Sequence, residues 1–263
     1  MIFMSIINIL CVGDVIGENG GKFIKNNLWK IRSAHKADYA IVNCENCGRK
    51  NSVDPDGAKL LLASGADLLT SGNHIWRVND MKGYTESSEE IIRPANYPAG
   101  TPGLGYVIKN INGYKFLVMN LMGLTFMDPL GCPFEAAQRI LDREKGCYDF
   151  AICDFHGEAT SEKMAFAHHF DGKIHIVFGT HTHVPTADLH ILPGGTGYIS
   201  DLGMTGPVDS ILGIKKEIII TKFLTKMPQR FEISDNPCSL SGALFSIDTD
   251  RKKVVKTEYI RVN

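Results

Sequence analysis

From Ile6 to Val12 the chain is an apolar run, the pattern of a strand covered on both faces. Phe23, Ile24, Leu28 and Ile31 then recur at helical spacing. Residues 39–43, YAIVN, predict a second strand. DPDGAKLLLASGA predicts a helix with Asp54 at the N-cap, Pro55 at the first helical position and Gly65 as terminator. Residues 67–70, DLLT, predict a third strand, and YVIKNINGYKFLVMNL a hairpin turning at Asn112-Gly113. A helix from Pro133 follows, then strands at YDFAIC and KIHIVF with a helix between them. From about 186 the pattern reads as strand-rich: GYISD, EIIITKF, GALFSI and KKVVKTEYIRV.

Three βα units followed by many strands predict an α/β fold in which two sheets pack together with helices outside. With 263 residues, 44% hydrophobic, the chain can bury a large core, and no repeat or long linker divides it. We therefore expect a single domain over 1–263. The 28 basic and 29 acidic residues nearly cancel, which excludes the basic field of a non-specific nucleic-acid or membrane-surface binder. The N-terminal MIFMSIINILCVGDV has no charged leader, is too short to span a bilayer and shows no cleavage pattern, so it reads as the first core strand. Seven cysteines, an odd number in no secreted framework, point to a reducing cytoplasm.

The chemistry stands at the strand ends. Gly13-Asp14 follows the first strand and Glu45-Asn46 the second. SGNHIW, with Asn73-His74, follows the third; DFHGEAT supplies His156, and GTHTH supplies His181 and His183. Asp14 alone could be turn chemistry, Asn73 alone a left-handed turn residue, and His156 alone a satisfied core histidine. Together they are a poor match to random turn usage, and ligands gather at the carboxyl ends of strands in open α/β sheets. Mixed oxygen and nitrogen donors without thiolate suit Fe, Mn or Zn. Seven candidates are too many for one ion with open positions and reasonable for two, the usual clamp for hydrolysing a phosphate ester.

GNH after a strand and a late G-x-H-x-H resemble the calcineurin-like metallophosphoesterases. GDVIGENGG, NCEN, SGNHIW, DFHGEATSEK and GTHTHVPTAD, with TGYISDLGMTGP after them, resemble more closely the YmdB-like phosphodiesterases. The resemblance implies a four-layer αββα sandwich with two mixed central sheets. It implies two divalent or trivalent transition-metal ions per chain, iron first, with manganese or zinc as the other candidates. Asp14, Glu45, Asn46 and His183 would hold one ion. Glu45 would bridge to the second, completed by Asn73, His156 and His181, and His74 would be the catalytic proton donor to the leaving oxygen. The chain departs from the wider family at Asp14-Val15-Ile16, where Asp-x-His is usual, and at Glu45, where a bridging Asp is usual. Both departures fit the narrower branch.

The expected reaction is hydrolysis of a small phosphodiester, a 2′,3′-cyclic nucleotide by resemblance, through in-line attack of a metal-bound hydroxide. A phosphomonoesterase or nucleotidase on the same metal pair is the competing enzyme. A weakly active regulatory binding protein that kept the fold is the rival from another class. The expected partner is the small-molecule substrate, with no stable nucleic-acid binding and no membrane, and the resemblance implies a homo-oligomer. Arg77, Trp76 and Tyr198 are loose candidates for contacting a base. Cys44-x-x-Cys47 lacks a second pair, and GENGGKF fails as a phosphate loop at Ile16 and Phe23. His35, His168, His169 and His190 read as surface or packing residues, and His175 as structural.

Overall fold

The computed structural model describes residues 6–48 and 52–263. Residues 1–5, expected in the first strand, lie outside the described residues. The first half runs β1 (Ile6–Val12), β2 (Asp14–Val15), α1 (Gly17–Ala34), β3 (Tyr39–Asn43), α2 (Pro55–Ala63), β4 (Leu68–Thr70), α3 (Asp80–Ser87), β5 (Tyr106–Ile111) and β6 (Tyr114–Met122). The second runs α4 (Pro133–Arg143), β7 (Phe150–His156), α5 (Thr160–His169), β8 (Ile176–Thr180), β9 (His190–Ile191), β10 (Gly197–Ile199), β11 (Met204–Pro207), α6 (Lys216–Thr225), β12 (Cys238–Asp248) and β13 (Lys253–Val262).

One sheet takes the order β2–β11–β12–β1–β3–β4, with β13 also paired to β12. The other runs β5–β6–β7–β8–β10–β9. Both are mixed: β1, β3 and β4 are parallel while β12 is antiparallel to β1, and β6, β7, β8 and β10 are parallel while β5 and β9 are antiparallel.

Strand alternation sorts the core into three layers. Ile9, Ile41, Phe116, Ile152, Phe178 and Phe245 meet between the sheets. On the far face of the first sheet, Leu10, Val42 and Leu244 pack with Ile24 and Leu28 of α1 and Leu61 of α2. On the far face of the second, Leu117, Cys153 and Phe155 pack with Ala137 and Ile140 of α4 and Phe166 of α5. Helix, sheet, sheet, helix is the expected four-layer sandwich. Truncating a fully buried inter-sheet residue such as Phe178 to Ala would cost about 3–5 kcal/mol.

Local signals explain most boundaries. Asp54 Oδ1 accepts the Gly57 N–H at 2.8 Å, capping α2, and Gly65 past its end takes φ +106. Asn112 and Gly113 both have positive φ, 50° and 90°, as a two-residue type I′ hairpin turn demands. EIIITKF corrects the sequence reading, because it belongs to the helix α6 and not to a strand. Its β-branched residues favour a strand only against a pleated, half-buried neighbour, and here Ile220, Phe223 and Leu224 are exposed and no strand among the described residues pairs with them. The helix α3 has no counterpart in the sequence reading. Among the described residues no helix is long and apolar enough to cross a membrane.

Candidate metal centre

The parallel strands of both sheets deliver their carboxyl ends to one place. A Cβ at Gly13 would collide with the Gly203 carbonyl, so glycine lets the chain pass from β1 to β2 with Asp14 fully buried. Asp14 Oδ2 accepts the His181 N–H at 3.1 Å, and Oδ1 lies 3.8 Å from His183 Nε2. Past β3, Asn43 Oδ1 accepts the Glu45 N–H at 3.0 Å and turns the chain. Glu45 then sets Oε1 3.1 Å from His74 Nδ1 and Oε2 3.1 Å from His156 Nε2. Gly72, after β4, faces that contact: a Cβ there would occupy the space of Glu45 Oε2 and the His156 ring.

His156 ends β7, and its tautomer can be read from its neighbours. Asp154 accepts the Thr180 hydroxyl at 2.7 Å, so that hydroxyl has no second proton for His156 Nδ1 at 2.9 Å. Nδ1 must therefore carry the hydrogen and donate it, leaving Nε2 as a bare lone pair. That lone pair faces Asn73 Oδ1 at 3.2 Å, His181 Nδ1 at 3.1 Å and Glu45 Oε2 at 3.1 Å. The ligating atoms of Glu45, His156 and His181 all lie within 4.8 Å of one another.

His181 and His183 stand on a loop that takes positive φ at both, 105° and 63°. Non-glycine residues adopt such angles only when their surroundings hold them there. Asp201 Oδ2 accepts the Thr182 N–H at 3.0 Å, and the buried Lys163 donates to Thr180 O and Asp201 Oδ2, both at 2.9 Å. The two rings thereby separate. His181 goes to His156, while His183 Nε2 goes to Asn46 Nδ2 at 3.2 Å and toward Asp14. The Asn46 amide puts its oxygen 3.0 Å from His74 Nδ1, and a half-turn of the amide would put that oxygen beside His183 instead.

All eight residues singled out at the strand ends thus join one connected cluster. Burial pushes Glu45 up to about 7 and raises Asp14 as well, and it lowers His74 and His156 to about 4 and His181 to about 3. Asp14 Oδ1 and Glu45 Oε2 are buried without a hydrogen-bond partner. Buried carboxylate oxygens facing neutral imidazole lone pairs lack positive charge, and a cation supplies it in the form both donor types bind. Ligand atoms about 2.1 Å from a common ion stand roughly 3.0–3.4 Å apart, the spacing seen around His156 Nε2. The residues fit transition-metal ions.

Several contributors were not singled out from sequence. Glu158 Oε2 lies 3.2 Å from His181 Nε2, and Asp154 accepts from Thr70, Thr180 and Asn43. The signal for Asp154 was available: a carboxylate two residues before His156 in a buried strand shares its face. Cys44 and Cys47 are free and buried in apolar surroundings that push both thiols up, Cys47 to about 12. Neither is a thiolate at neutral pH. Trp76 packs edge-on to Tyr97, and Tyr198 is buried against Ser200, so neither ring faces the cluster's cavity.

A cavity of about 410 Å³ opens over Glu45, Asn46, His74, His181 and His183 and is walled by Ile211, Leu212 and residues of α6. Another depression, about 490 Å³, is lined by Asp54, Asp56 and Asp80 with Arg77 and includes none of the eight.

The family model described as YmdB-like protein matches residues 10–260. The chain is 42% identical over 255 residues to a Bacillus subtilis (strain 168) protein named 2′,3′-cyclic-nucleotide 2′-phosphodiesterase, covering 97% of each. It is 36% identical to a phosphatase of known structure from Mycoplasma pneumoniae, with a TM-score of 0.93, covering 99% of this chain and 94% of that one. The NAD nucleotidase of Haemophilus influenzae shares the fold at 11% identity and a TM-score of 0.63, covering 98% of this chain and 56% of that one.

Proposed function

Because the chain belongs to the YmdB-like family, we propose that it is a metal-dependent phosphodiesterase acting on 2′,3′-cyclic nucleotides, organised as one metallophosphoesterase domain over 1–263. The observation that carries this reading is the bare Nε2 of His156, turned toward Asn73, His181 and the unpartnered oxygen of Glu45.

Asn73, His156, His181 and Glu45 would hold one transition-metal ion, and Asp14, Asn46, His183 and Glu45 the other; iron is the first candidate, manganese and zinc the next. A bound metal pair supplies Lewis-acid polarisation of the phosphoryl group and a nucleophile at neutral pH. Thr180 and Asp154 hold the His156 tautomer, and Lys163 with Asp201 holds the loop that separates the two later imidazoles. His74 borders the cavity with Nδ1 turned to Glu45 Oε1 at 3.1 Å, which leaves Nε2 for the substrate. There it gives a proton to the departing ribose oxygen, the anionic phosphate favouring its charged form.

Product analysis tests the reading. Protein incubated with 2′,3′-cyclic AMP should yield an adenosine monophosphate and stop there. Release of inorganic phosphate from that product at a comparable rate would make it a monoesterase instead.

A further inference from the structure

The cavity over the cluster has two unlike halves. Its floor is polar, with Glu45, Asn46, His74, His181 and His183, and its wall is apolar, with Ile211, Leu212, Ile219, Phe223 and Phe231. Ile219 and Phe223 stand one turn apart on α6 and so share the face that meets the cavity. Phe223 is 66% exposed and Phe231 41% exposed, and the ammonium of Lys222 sits 4.7 Å over the Phe231 ring. The open Phe223 ring and the side of Phe231 that Lys222 leaves uncovered form, beside a polar floor, a surface that a flat, uncharged ligand would cover.

We propose that this wall is the nucleobase subsite, with Phe223 and Phe231 as the residues the base packs against and Lys222 closing the edge. The inference rests on the phosphodiesterase reading and extends it to substrate selection. A cyclic phosphate on the polar floor leaves its nucleoside in the same cavity, whose 410 Å³ lies in the range that admits a whole small ligand. The base is the part of that substrate whose faces match an aromatic wall. A second copy of the chain is the other possible occupant, but continuity with the metal cluster in one cavity favours the substrate. Ile211, Leu212, Ile219, Phe223 and Phe231 offer no hydrogen-bonding side chain to a base edge, and Glu158, which also lines the cavity, faces His181 at 3.2 Å. Stacking tolerates every base and scales with ring area, so purine substrates should have the lower KM.

The test compares 2′,3′-cyclic AMP with glycerol 1,2-cyclic phosphate, which keeps the strained ring and lacks the base. Phe223→Ala and Phe231→Ala should each raise KM for the cyclic nucleotide about tenfold, with kcat and metal content little changed. Their effect on the glycerol diester should be far smaller. A second readout uses adenosine 3′-monophosphate and inorganic phosphate as probes in calorimetry: the variants should weaken the nucleotide about tenfold and leave phosphate binding alone. Equal losses on both diesters would overturn the proposal, as would an unchanged KM for cyclic AMP in both variants. Variants that change only the oligomeric state would assign the wall to a second copy and overturn it too. If wild-type protein cleaves neither diester but the variants still weaken nucleotide binding, the activity reading falls and the subsite stands.

Discussion

The hydroxyl of Thr180 lies 2.9 Å from Nδ1 of His156 and determines which nitrogen of that ring is bare. Asp154 holds the hydroxyl's own proton, so a carboxylate one step removed sets the tautomer of a candidate ligand. Outer partners of this kind typically tune metal affinity by about 10- to 100-fold. Thr180→Val keeps the shape and removes the acceptor. It should weaken metal binding within that range, read as metal retained after dialysis against a graded chelator series, with thermal stability falling by no more than about 3 kcal/mol. Unchanged retention would show that the ring needs no such lock.

Lys163 and Asp201 form a fully buried ion pair at 2.9 Å, and both also bind the loop that carries His181 and His183. Removing one partner of such a pair costs about 3–5 kcal/mol because the other charge is left without compensation. Lys163→Met should therefore lower the urea midpoint sharply and release metal. Lys163→Met combined with Asp201→Asn should cost distinctly less than the sum of the single changes. Additive losses would mean that the pair is not coupled.

His175 is a pH-dependent element away from the cluster. Its Nδ1 accepts the Ala151 N–H at 3.1 Å, and burial lowers it to about 4 from an ordinary 6.5. The unfolded chain binds the proton more readily, so stability is fully present above about 6.5 and is lost as pH falls toward 4, flattening below. The difference corresponds to roughly 3 kcal/mol at most. His175→Asn, which keeps an acceptor without the titration, should show a shallower loss between pH 6.5 and 4 in chemical denaturation. An identical slope would exclude His175 from the acid limb.

Much of this arrangement is legible in the sequence. Strand ends offering Asp14, Glu45-Asn46, Asn73-His74, His156 and His181/His183 carry their meaning in order along the chain, and local signals such as Asp54-Pro55 and Asn112-Gly113 act within a few residues. What escaped depends on distant neighbours. Lys163 takes its role from Asp201, 38 residues on, which no local pattern links to it. The stretch EIIITKF reads as a strand because three isoleucines fit a pleated sheet, yet among the described residues it pairs with no strand and forms a helix. That misread helix lines the cavity over the cluster.

His74 separates proton transfer from metal holding. Its Nδ1 is taken by Glu45, so the ring's contribution to substrate lies at Nε2. An alkoxide leaving group needs a proton and a nitrophenolate does not, and general-acid help is worth about 10²–10⁴-fold. His74→Ala should keep its metals and lose activity on 2′,3′-cyclic AMP in that range, with a distinctly smaller loss on bis(p-nitrophenyl) phosphate. Equal losses on both would make His74 a charge stabiliser rather than a proton donor.

Metal titration into stripped protein tests the central claim most directly, with 2′,3′-cyclic AMP hydrolysis followed as iron, manganese or zinc is added. Activity should rise from near zero and saturate at about two ions per chain, the stoichiometry of a two-metal phosphoesterase. Hydrolysis that proceeds equally well in the stripped protein, or that no added metal restores, would contradict the account.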